Sequence, residues 1–145
     1  MQSESEIEAE DIEEAGSFNI DFRGKNVLLV DDNGMNREIA TYILEDKGLT
    51  VETAIHGRDA VQKIYDKGPE HYDFVLMDIQ MPVMNGYEAT EIIRKLFPDS
   101  DLTIIALSAN AFEEDKKKSI DAGMNAHVSK PINIDELMRT LAKFI

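Results

Sequence analysis

Five short apolar runs punctuate the chain: "NVLLVD", "LTVETA", "YDFVLMD", "LTIIAL" and "AHVS". Three of them are nearly unbroken in apolar residues, the pattern of parallel strands covered on both faces. The stretches between the runs have helical periodicity instead. Met35, Ile39, Tyr42 and Ile43 share one helical face, as do Ala89, Ile92, Ile93 and Leu96. Gly48 and Gly68 stand where helices should stop. Asn133, with Glu136 three residues later, predicts an N-cap. The helix it opens carries a stripe of Ile134, Leu137, Met138 and Leu141. From Lys25 onward, strand and helix alternate five times. That order predicts an α/β fold, a doubly wound parallel sheet with helices on both faces.

Ligands of such sheets bind beyond the carboxyl ends of the strands. Asp31 and Asp32 close the first run and Asp78 closes the third, while Ser108 follows the fourth and Lys130 the fifth, just ahead of Pro131. One acidic residue after a strand is commonplace and usually caps a helix. Three carboxylates, a hydroxyl and an amine on one edge are a far more specific signal.

Over roughly residues 25–145 the chain resembles the receiver domain of two-component signalling. The resemblance rests on "VDDN", "MDIQMPVMNG", "LSAN" and "SKP", in the family's order and on the matching elements. It implies a flavodoxin-like (βα)5 fold with a five-stranded parallel sheet in the order 2-1-3-4-5. It also implies that Asp78 accepts a phosphoryl group from a phosphohistidine donor, and that the domain catalyses its own aspartyl phosphorylation and dephosphorylation. The implied metal is Mg2+, with Mn2+ able to substitute, held by Asp31, Asp32, Asp78 and the backbone carbonyl of Gln80. Lys130 pairs with the phosphoryl group, Ser108 takes the Ser/Thr switch position, and the Lys130–Pro131 bond is expected to be cis. His127 stands where many members carry Tyr or Phe, so a switching ring and a passive core or edge histidine are both open readings. The chemistry agrees with the carried-over set. Mg2+ prefers oxygen ligands, and a dication neutralises adjacent carboxylates whose repulsion would otherwise raise an apparent pKa.

Composition narrows the rest. The formal net charge of −14 disfavours nucleic acid as a partner. The absence of cysteine removes disulfides, zinc thiolates and thiol nucleophiles. Half of the charge sits in residues 1–16, "MQSESEIEAEDIEEAG", with seven acidic residues and no basic one. Residues 1–24 are therefore expected to be an acidic linker or tail ahead of a domain at 25–145. No run approaches the roughly 18 apolar residues of a membrane span, and no signal peptide is seen, so a cytoplasmic location without membrane contact is expected.

His56 and His71 read as surface residues without metal-ligand spacing. "FEEDKKKSI" reads as an exposed helix with Glu113–Lys117 and Glu114–Lys118 pairs and a thin apolar face of Phe112 and Ile120. A phosphohydrolase of the haloacid dehalogenase type would carry D-x-D where this chain has adjacent "DD". A flavodoxin-type electron carrier would carry a Ser/Thr-rich phosphate loop where "DDNGMN" is acidic. No glycine-rich nucleotide box or phosphorylatable-histidine helix is visible, so the donor is expected to be a separate histidine kinase or histidine phosphotransfer domain. The wording of "MDIQMPVMNG" and "GMNAHVSKPI" resembles receivers attached to hybrid sensor kinases, with a stand-alone regulator as the alternative. The expected state is a monomer or weak dimer.

Overall fold

The computed structural model describes residues 21–109 and 113–145. Its elements alternate as β1 (Asn26–Val30), α1 (Gly34–Asp46), β2 (Thr50–Ala54), α2 (Gly57–Lys67), β3 (Phe74–Asp78), α3 (Gly86–Leu96), β4 (Thr103–Ser108), α4 (Glu113–Ala122), β5 (Ala126–Ser129) and α5 (Ile134–Ala142), with a 3-10 turn at Pro69–His71. All four strand pairings are parallel, in the order β2-β1-β3-β4-β5. The predicted fold class is the observed one.

Alternation along the central strands divides the core in two, because successive side chains point to opposite faces. Leu28, Val30, Val75, Met77, Ile104 and Ala106 pack beneath α2 and α3, against Ala60, Ile64, Ala89 and Ile93. Val27, Leu29, Phe74, Leu76, Ile105 and Leu107 pack against Ala40 and Leu44 of α1 and Leu137, Met138 and Leu141 of α5. Packing begins upstream of Lys25, since Phe22 is buried in this second cluster. The acidic stretch 1–16 and Phe112 lie outside the described residues, as do the side chains of Glu113 and Glu114 and hence their proposed pairs. Lys117 meets Asp121 at 3.4 Å.

The helix ends follow the expected capping chemistry. Asn133 accepts from the Glu136 N–H, Asn85 and Glu88 form a reciprocal capping box, and Gly48 and Gly68 have φ of 99° and 91° at their helix ends. Which helical faces are covered is decided by the structure. Met35, Ile39 and Tyr42 point outward at 69%, 54% and 74% exposure, and α1 buries Ala40 and Leu44 instead. Ile120 is also exposed, so α4 docks through Ser119 and Ala122 rather than through an apolar ridge. The two histidines have structural partners: His56 caps α2 by accepting from the Asp59 N–H, and His71 lies 3.0 Å from Glu52.

Candidate functional site

The strand ends bring the predicted carboxylates together. Asp31 follows β1 directly, Asp78 is the last residue of β3, and one carboxylate oxygen from each of Asp31, Asp32 and Asp78 lies within 4.8 Å of the other two. Asp31 and Asp78 are buried while Asp32 is exposed, so the cluster opens to solvent on one side. An all-oxygen, partly open donor set of this kind suits a hard divalent cation that keeps part of its water shell.

Lys130, which follows β5 and precedes Pro131 through a cis peptide, reaches the cluster from late in the chain. Its Nζ lies 3.1 Å from Asp31 Oδ2 and 3.4 Å from Asp78 Oδ2. It bridges both buried carboxylates and is nearer to Asp31. Asp31 is held further: its Oδ1 accepts from the Asn33 N–H at 2.9 Å, and its carbonyl accepts from Arg37 Nη1 at 2.8 Å. Asp78 has a looser hold, a 3.3 Å bond from the Gln80 N–H to Oδ1.

The electrostatics follow from this geometry. Burial pushes the Asp78 carboxyl above the usual carboxylate range, the Lys130 charge pulls it back, and the Asp31 charge adds to the rise. Burial alone would lower the Lys130 ammonium, but its hydrogen bond to Asp31 and the two carboxylate charges outweigh that and raise it. Asp78 is thus a buried carboxylate held with less positive charge than its surroundings require.

The loop after Asp78 is built tightly. Gly86 N–H closes its neck on the Ile79 carbonyl at 2.9 Å, and a Cβ on Gly86 would stand 2.5 Å from the Asp78 carbonyl. Within it, Met84 N–H bonds back to the Pro82 carbonyl at 2.7 Å around Val83, whose φ is 71°. This is a γ-turn of the strained hand. Gln80 is exposed on the loop beside the carboxylates. Ser108 is the buried final residue of β4 rather than the residue after it. A cleft lined by Gln80, Met81, Asn85, Tyr87, Ser108 and Lys118 opens between this loop and α4. His127 lies within β5, opposite Ala106, with both ring nitrogens buried and without hydrogen-bond partners among the described residues. Sequence reasoning did not find Arg37, Asn33 or the Lys130–Asp31 pair.

Residues 27–142 match the model of the response regulator receiver domain, and the chain belongs to that family. It is 40% identical over 121 residues to hybrid signal transduction histidine kinase L of Dictyostelium discoideum, covering 81% of this chain and 7% of the kinase. The chain therefore spans a small fraction of that relative's length. Among solved structures, the receiver domain of the sensor histidine kinase PA1611 from Pseudomonas aeruginosa, with a magnesium ion coordinated in its active-site cleft, superposes with a TM-score of 0.73 at 36% identity. That match covers 83% of this chain and 97% of the other. The receiver domain of the response regulator Ssk1 from Saccharomyces cerevisiae, co-crystallised with the histidine phosphotransfer protein Ypd1, gives 0.78 at 29% identity, over 85% and 90% of the two chains.

Proposed function

We propose that Asp78 is the phospho-acceptor of a phosphorelay, loaded from a phosphohistidine on a histidine kinase or histidine phosphotransfer domain. The convergence of Asp31, Asp32 and Asp78 with Lys130 carries this reading. An Asp78 oxygen attacks phosphorus, the P–O bond forms as the P–N bond to histidine breaks, and the imidazole leaves. Asp31, Asp32, Asp78 and the Gln80 carbonyl would hold Mg2+, which when bound would supply the positive charge that offsets repulsion between the two anions. Lys130 adds a second positive charge, and Ser108 offers a hydroxyl to another oxygen. Asp31 is the poorer acceptor because Lys130 and the Asn33 N–H already hold its two carboxylate oxygens.

Exposed Met35, Ile39 and Tyr42 on α1, which begins beside the acidic edge, supply apolar surface for a helical partner. The short coverage of the kinase relative supports reading the chain as one module of a hybrid kinase, and the location proposed for that module is the cytoplasm. Among the described residues no helix is long and apolar enough to cross a membrane.

Incubation with acetyl phosphate and Mg2+ should add one phosphoryl group, read by intact mass. Asp78→Asn should abolish the gain, and chelation should prevent it. Undiminished labelling of Asp78→Asn would overturn the assignment.

A further inference from the structure

The first turn of a helix leaves backbone N–H groups without intrahelical acceptors. In α2 the Asp59 N–H is taken by His56 Nδ1, but the Gly57 N–H leaves the helix and donates to the Met84 carbonyl at 3.1 Å. Gly57 is buried there. A Cβ on it would stand 2.5 Å from the Met84 carbonyl oxygen, 3.0 Å from Met84 Cγ and 3.1 Å from Ala89 Cβ. Its φ is not in the left-handed region, so its own backbone conformation does not demand glycine. What demands glycine is the close approach of the acceptor loop.

That loop, residues 79–86, is closed at its neck by the Gly86–Ile79 bond and bent at Val83 by the γ-turn. The Gly57–Met84 bond ties its far limb to a helix 21 positions upstream of Asp78 in the sequence. We infer that Gly57 is a positioning residue for the acceptor site, fixing through the Met84 carbonyl the loop that presents Gln80 beside Asp78. The inference rests on the metal role proposed for the Gln80 carbonyl. It makes a reciprocal demand: if this bond holds the loop in its metal-competent shape, metal must in turn tighten the bond.

Two measurements test it. In the wild-type protein, amide exchange at Gly57 should slow on saturation with Mg2+, although no metal ligand lies on α2. By calorimetry, Gly57→Ala should bind Mg2+ about tenfold more weakly, within the usual span of coupling between sites, at a temperature where circular dichroism shows it folded. Should Gly57→Ala fail to fold, the wild-type exchange measurement decides alone. Unchanged exchange at Gly57 on metal binding overturns the inference, as does a variant with a lower melting point but wild-type Mg2+ affinity. Failure of the wild-type protein to bind Mg2+ at all would remove the proposed metal site, and this inference with it.

Discussion

Glu52 on β2 and Asp78 at the end of β3 are both acidic residues drawn into the fold, and their surroundings treat them in opposite ways. Glu52 meets three donors: Tyr72 Oη at 2.8 Å, His71 Nε2 at 3.0 Å and Lys67 Nζ at 3.4 Å. Burial pushes its carboxyl up, but these donors outweigh burial and leave it below the ordinary value. Asp78 is more deeply buried and shares one ammonium with Asp31, and its carboxyl is raised. The first carboxylate completes the structure, whereas the second leaves charge for a ligand to balance. Stability withheld from a functional site is the usual trade-off.

The largest test of the contrast is Lys130→Ala, which leaves Asp31 and Asp78 buried with no cation between them. Breaking a buried pair by removing one partner costs about 3 kcal/mol, and urea unfolding without metal should show a loss of that order. If Mg2+ takes the proposed site, it should restore more of the loss in Lys130→Ala than it adds to the wild type, because it would neutralise the same two carboxylates. A loss that Mg2+ leaves untouched would mean the cluster does not take the ion.

The contrast also predicts opposite signs for two neutralising changes. Glu52→Ala strands the buried Tyr72 hydroxyl and should cost about 1–2 kcal/mol. The Glu52 carboxyl is lower in the folded state, so its contribution is present above its unfolded value, near 4.5, and fades as pH falls through the folded one. Asp78→Asn should instead stabilise the metal-free protein, by about 1 kcal/mol. The Asp78 carboxyl is raised in the folded state, so its cost is absent below the unfolded value and present above the folded one. The gain from Asp78→Asn should therefore vanish in acid, while the loss from Glu52→Ala shrinks there. Melting curves of both variants across pH 3–8 would separate the two cases, and equal signs at neutral pH would collapse the comparison.

The strands and the acidic edge were legible in the sequence because each signal is local. Apolar runs of strand length end in Asp31, Asp78 or Ser108, and parallel order brings those ends together. Which way α1 faces was not legible. It carries two apolar sets, Met35, Ile39 and Tyr42 against Ala40 and Leu44, and periodicity tells which residues share a face but not which face is covered. Ala40 and Leu44 are the set buried with Val27 and Leu29 of β1, a choice settled only in three dimensions. The Lys130–Asp31 pair spans 99 positions, and the demand for Gly57 comes from a loop far along the chain. Neither leaves a local trace.

The smallest expected effect comes from the acceptor loop itself. Val83 is exposed, β-branched and held at φ 71°, a conformation that costs such a side chain roughly 1–2 kcal/mol relative to its preferred one. Glycine there removes the strain but adds freedom to the unfolded chain worth about 0.5–1 kcal/mol. Val83→Gly should therefore stabilise by a net of about 0.5 kcal/mol, a rise in melting midpoint of roughly 1–2 °C for a chain of this size. The turn places Met84, whose carbonyl meets Gly57, so relaxing it should loosen the loop while leaving the Glu52 cluster unchanged. Amide exchange should show faster opening across residues 79–86 and no change at Tyr72. A fall in midpoint, or loosening that extends to the Glu52 cluster, would show that the strain is not confined to the acceptor loop.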